Sequence, residues 1–274
     1  MIELVELIKV IILGIVEGIT EFLPISSTGH LIVASALLDF RTSLEGTFEI
    51  FIQLGAVVAV VALYRADLLH QVRTVRTNQA VQRLWLALII ATIPAATVGF
   101  LARDFIKETL FSPLVVAITL IVGGIVLILV EKRNGHVENT ALTFNLYHIN
   151  LRQALLIGLA QTLAYIPGMS RSAASIIGGM VFGLNREVAT RFSFYLAIPT
   201  LGGATIVDLL LNLDQVTTND LVYLLVGTVV SGLVAWFAVG WLLRYIANNN
   251  FIPFGYYRIA AGLVFLALMA LNVL

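Results

Sequence analysis

The chain has 274 residues, 59% hydrophobic and 12% charged, with a formal net charge of zero and a mean hydropathy of +0.99. Soluble domains carry about a quarter charged residues, so the composition excludes a soluble globule and points to a polytopic membrane protein. A balanced charge leaves no electrostatic footprint for nucleic acid, and the lack of cysteine rules out disulfides and thiolate metal sites.

A spanning helix needs roughly 20 apolar residues, whereas runs of about 10–14 are more often re-entrant or interfacial. In chain order, that rule gives a first short segment at 4–20. It overlaps the acidic start Met-Ile-Glu-Leu-Val-Glu-Leu, which lacks the basic leader of a cleaved signal peptide and is expected in the mature protein. A second short segment at 28–38 precedes long ones at 48–65, 83–103 and 112–131. Two more short segments, 151–165 and 172–184, precede long ones at 187–212, 220–246 and 253–273. The first short pair breaks at Pro24 and the second at Pro167-Gly168, because proline cannot continue a helix interior. The expected fold is all-α and polytopic, a single integral membrane domain over 1–274 with six transmembrane helices and two re-entrant helix-break-helix hairpins.

Sliding the chain by 143 residues lays Pro24-Ile25-Ser26-Ser27 on Pro167-Gly168-Met169-Ser170, and the segment from Phe48 on one from Arg191. Repeats at about 1–135 and 148–274, each with one hairpin and three spans, cross an odd number of times and predict an inverted-topology repeat. Such repeats place their special site at the repeat interface near the midplane. The connections carrying Arg65, Arg73, Arg76 and Arg83, then Lys132, Arg133 and Arg152, fall on one side with Arg186, Arg191 and Arg244. The opposite loops hold only Arg41, Arg103 and Lys107. Cytoplasmic loops are enriched in Lys and Arg, so both termini are expected outside, with the two hairpin tips meeting inside the membrane.

Ionisable side chains are expensive in hydrocarbon, so their clusters are the candidates for function. Glu17 and Glu21, four apart, share one helix face. Two such carboxylates repel when both ionise, which suits a proton-transfer group beside a charged or metal-binding one; the blander reading is a polar stripe facing other helices. Gly14 and Gly18 leave a small-residue face for close helix packing. Ser26, Ser27 and Thr28 follow Pro24 and open the next helix, as caps, as anion ligands, or as both. His30 stands one turn past Ser27, in reach as its base or as the leaving-group acid. Arg171, always charged beside Pro167-Gly168, needs Glu17, Glu21 or a bidentately gripped phosphate, and Ser170 and Ser172 flank it as further donors. Glu49 and Gln53 are either a supporting pair or interfacial, Asp208 is ambiguous, and Arg258 beside Tyr256 and Tyr257 reads as an interfacial anchor. Acid, base, hydroxyl and guanidinium together suggest chemistry on a phosphorylated, lipid-soluble substrate.

At these residues the chain resembles the integral-membrane undecaprenyl-diphosphate phosphatases of the bacitracin-resistance type. Glu17-Gly-Ile-Thr-Glu21-Phe-Leu-Pro-Ile-Ser-Ser-Thr-Gly-His30 is similar to that family's glutamate-rich first motif, and Pro167-Gly-Met-Ser-Arg171-Ser to its second. Phe51-Ile-Gln-Leu-Gly-Ala56, Gln161 and Phe251-Ile-Pro-Phe add to the likeness, while Ala173 and Ser175 stand where the family usually has Gly and Thr. The resemblance implies hydrolysis of undecaprenyl diphosphate to undecaprenyl phosphate and inorganic phosphate on the outer face of the bacterial inner membrane. It also implies carrier recycling for peptidoglycan synthesis and bacitracin resistance. Its functional residues fall on Glu17, Glu21, Ser27, His30 and Arg171. In the mechanism these residues suggest, Glu17 with Glu21 holds Mg²⁺ or Ca²⁺ or else orients Arg171. The rival expectation is a lipid-phosphate flippase or anion transporter, since inverted repeats with broken helices are typical of carriers. Expected partners are the polyprenyl diphosphate and membrane lipids, with no nucleic acid; a homodimer stays open.

Overall fold

A computed structural model describes residues 3–40, 47–102, 110, 112–134, 142–212 and 218–271, so Arg41, Arg103 and Lys107 lie outside the described residues. The described chain is helical, with one isolated parallel bridge between Thr143 and Leu184. The first hairpin is α1 (Leu4–Thr20) and α2 (Ser27–Leu37); α3 (Thr47–Leu63), α4 (Arg65–Thr74), α5 (Gln79–Leu101) and α6 (Pro113–Asn134) follow. The second hairpin is α7 (Leu151–Gln161) and α8 (Arg171–Val181), followed by α9 (Arg186–Asn212), α10 (Thr218–Ile246) and α11 (Ile252–Ala270). Four stretches, Gln79–Leu101, Pro113–Arg133, Asp220–Ile246 and Ile252–Ala270, are long and apolar enough to cross a membrane. Counting α3 with the polar α4, which leaves it at 70°, makes five.

The helices pack in a reciprocal pattern. First-hairpin helix α1 lies against α10, and second-hairpin helix α7 against α5; α3 meets α10 where α9 meets α5; α3 pairs with α9, and α6 with α11. The small face of α1 makes its contact possible. A side chain added at Gly14 would meet the Gly227 carbonyl at 2.9 Å, and one at Gly18 the Ser231 carbonyl at 2.6 Å. Without a hydrophobic drive between helices in lipid, such close backbone approach is how they hold together. On the basic side of the molecule, Arg186 pairs with the buried Glu131, and Arg191 lies 3.8 Å from Asp67. These contacts bring the connections after α3, α6 and α8 to one end.

Both hairpins break where the prolines said they would. In each, the serine before the second helix has positive φ, Ser26 at +73° and Ser170 at +71°, an uncommon conformation for a non-glycine residue. The turn is stabilised because each serine caps its helix, accepting from Gly29 N at 3.4 Å and from Ala173 N at 3.2 Å. This geometry shifts the expected register by one. Ser26 corresponds to Ser170 and Ser27 to Arg171, because the second tip has an extra residue between proline and cap. That tip also needs Gly168, at φ +89°, where a Cβ would press on the Val116 carbonyl at 2.6 Å.

Candidate active site

The two tips meet through one carboxylate. Ser27, the first residue of α2, donates its hydroxyl to Glu21 Oε2 at 2.6 Å, and Arg171, the first residue of α8, donates from Nη2 to Glu21 Oε1 at 3.2 Å. Ser172 Oγ, one residue on, donates to the Leu23 carbonyl at 2.8 Å and pairs with Ser170 Oγ at 3.0 Å. Glu17, Glu21, Ser26, Ser27, Ser170 and Ser172 are buried, and Thr28 is half-buried on the first turn of α2.

The guanidinium of Arg171 is oriented from three sides. Its Nη1 donates to the Ser193 carbonyl at 3.0 Å and to Ser193 Oγ at 3.3 Å, and Ser175 Oγ braces Ser193 Oγ at 2.7 Å. Its Cζ lies 5.2 Å from the centroid of Phe22, whose ring meets Phe194 edge-on. What remains is Nε–H, buried and without a partner among the described residues. Arg171 is thus ion-paired with Glu21 and still has an unspent donor that an anion could meet.

Glu17 is fully buried, and neither of its carboxylate oxygens has a hydrogen-bond partner among the described residues. It feels the charges of Glu21, Arg171 and Glu49. Two carboxylates against one guanidinium leave an unbalanced negative charge in a buried site, which a shared proton or a bound cation would neutralise. Among the described residues no third acidic or imidazole side chain joins them as a metal ligand.

Two side chains lie elsewhere than their spacing suggested. His30 does not face Ser27. Its Nδ1 sits 2.7 Å from the Ser26 carbonyl, which can only accept, so that nitrogen carries the proton; Nε2 then accepts from the Tyr257 hydroxyl at 2.7 Å. The rings of His30 and Tyr257 are stacked, 5.6 Å between centroids. Arg258 is not an interfacial anchor. It is 0% exposed and donates only to backbone carbonyls, those of Pro24, Thr119, Leu120, Gly168 and Met169. The sequence reading missed Ser193 and the role of Tyr257. An arginine six residues inside an apolar helix, about 9 Å along its axis, was the available sign that Arg258 points inward. A separate cavity of about 290 Å³, lined by Asp67, Tyr147, Glu187, Arg191 and Tyr195, includes none of the tip residues.

Fold and site together define the class: a polytopic α-helical membrane protein in which acid, hydroxyl and guanidinium groups from two broken hairpins converge in its interior. The chain belongs to the family described as Bacitracin resistance protein BacA, whose model matches residues 10–264. It is 49% identical over 266 residues to an undecaprenyl-diphosphatase of Methylobacillus flagellatus, covering 97% of this chain and 98% of that one. It is 48% identical to the enzyme of that name from Deinococcus radiodurans, with 96% of each chain covered. A third relative, from Albidiferax ferrireducens, is 46% identical over 265 residues and bears the same name.

Proposed function

We propose that this protein hydrolyses undecaprenyl diphosphate to undecaprenyl phosphate and inorganic phosphate, and through that activity confers bacitracin resistance. One observation carries the reading: a single carboxylate, Glu21, joins a hydroxyl and a guanidinium that belong to opposite halves of the chain. Phosphoryl transfer is mostly positioning and charge stabilisation, and this junction offers both. The reciprocal helix packing supports an inverted repeat, and the 27-residue α9 completes a count of six spans. The basic connections gathered at one end support a site open to the periplasmic side of the inner membrane.

In the mechanism we favour, the terminal phosphate meets Arg171 Nε–H and the free backbone N–H groups at the starts of α2 and α8. Glu21 takes the proton of Ser27 as its oxygen attacks the terminal phosphorus, and the bond to the bridging oxygen breaks, so the polyprenyl phosphate leaves. Water then attacks the phosphoserine while Glu21 returns that proton to the departing Ser27 oxygen, so Ser27 and the Glu21 carboxylate are both restored and phosphate leaves as H₂PO₄⁻, keeping both protons of the water. His30, held between the Ser26 carbonyl and Tyr257, steadies the turn that presents Ser27 and is not the base. Glu17 and Glu21 fit Mg²⁺ or Ca²⁺ in donor chemistry, with substrate oxygens and water completing the shell. Such a cation, when bound, neutralises phosphate charge.

Phosphate release from undecaprenyl diphosphate in detergent micelles, with and without chelator, tests the reading. Micelles have no two sides, so a carrier releases nothing there and an enzyme turns over. Silence under both conditions would refute hydrolysis. In the same assay Ser27→Ala separates serine from water as nucleophile, because substantial turnover by that variant leaves only water.

A further inference from the structure

We infer that Arg258 is a positioning residue for this reaction, a clasp that fixes one hairpin tip against the other without touching substrate. The inference rests on the phosphatase reading above, and it assigns work to a cation that the mechanism does not use. The guanidinium reaches both tips from a third helix. Nη1 donates to the Pro24 carbonyl of the first tip at 3.1 Å; Nη2 donates to the Gly168 and Met169 carbonyls of the second at 3.0 and 3.1 Å. Further contacts anchor it to α6, Nη2 to the Thr119 carbonyl at 3.3 Å and Nε to Leu120 at 3.5 Å. Since Arg258 is 0% exposed, no solute reaches it.

The geometry explains why arginine stands here. Carbonyls at a helix break have lost their helical partners and need donors in a place without water. Only a planar fork with five N–H groups serves carbonyls of two different tips at once. Pro24 precedes Ser27 by three residues, and Met169 precedes Arg171 by two, so the clasp lies directly behind both reacting groups. α6 makes room for it, since a side chain at Gly123 would run into the Arg258 guanidinium. The second tip is tied to the same helix through Thr119 Oγ1, which donates to the Pro167 carbonyl.

A displacement of about 1 Å at a reacting group can cost on the order of 10²-fold in rate. The test compares Arg258→Gln, Arg258→Lys and Gly123→Ala, purified in detergent, with kcat taken per monodisperse folded molecule and KM read beside it. A clasp role predicts that Arg258→Gln loses about 100-fold or more in kcat, with KM changed less than about threefold. Arg258→Lys should recover part of that loss, because an ammonium keeps the charge and three donors. Gly123→Ala leaves Arg258 intact but pushes its guanidinium aside, and should lower kcat about tenfold; it carries the test should Arg258→Gln fail to fold. A merely structural role shows instead as reduced yield and melting temperature with normal kcat and KM in the surviving molecules, and that result overturns the proposal. Wild-type turnover by Gly123→Ala overturns it too. Failure of hydrolysis itself is distinct, because the unaltered protein would then release no phosphate.

Discussion

At the first tip the helix begins with Ser27 and a hydroxyl; at the second it begins with Arg171 and a permanent charge, although a serine cap at positive φ leads into each. Capping, free N–H groups and the following 11-residue helix are common to both. The side chain at the first helical position is not. The same capped helix start is thus used twice, once to present a hydroxyl and once a guanidinium, and Glu21 spans the two. Matching positions of the two tips lie together, so divergence at one position in each half suffices to build an asymmetric site.

Removing either specialised residue breaks the comparison most severely. Arg171→Ala should lower kcat/KM by about 10³-fold or more, as for other arginines that neutralise a transferring phosphoryl group. Arg171→Lys should recover little, because one ammonium cannot serve Ser193, Glu21 and a phosphate oxygen together. Near-normal phosphate release from Arg171→Ala would remove its phosphate role. Ser27→Ala should cost at least about 10³-fold in kcat, since deletion of a nucleophile can cost on the order of 10⁶-fold, with the protein still monodisperse.

Glu17→Gln sharpens the contrast between charge and shape. Taking away an unpaired buried carboxylate should relieve about 1 kcal/mol of strain and raise the melting temperature by about 2–4 °C. The same change should reduce turnover about 10- to 100-fold and weaken any divalent-cation dependence; a stable variant with full activity would deny Glu17 a part. The smallest effect belongs to Tyr257→Phe. It leaves His30 Nε2 without its donor but leaves Ser27 and Glu21 in place, so kcat should fall less than about tenfold. A loss as large as that of Ser27→Ala would make His30 and Tyr257 part of the proton path.

Much of this was legible locally. Pro24 and Pro167 marked the breaks because a ring without an N–H cannot sit inside a helix, and segment lengths separated short from long because a bilayer has a fixed thickness. Glu17, Glu21 and Arg171 stood out because charge is costly in an apolar chain, and Ser27 because it follows Pro24 where a helix must start. The misreadings had a shared cause. His30 was matched to Ser27 by helical spacing, but α11 supplied its partner instead. Arg258 was judged by its neighbours Tyr256 and Tyr257, which are exposed, while its own side chain turned inward. The one-residue offset between tips was hidden because aligned prolines do not reveal where each cap begins.

By itself, then, the sequence determined a helical membrane chain, the places where its helices break, and the polar residues that must find partners; these follow from short-range sterics and from the cost of charge in hydrocarbon. Tertiary structure alone decided which partners those residues found. Ser27 meets Arg171 through Glu21, and Arg258 meets both tips, across separations of 144 and up to 234 residues. No local rule reports such distances, because they are set by how two halves pack against each other.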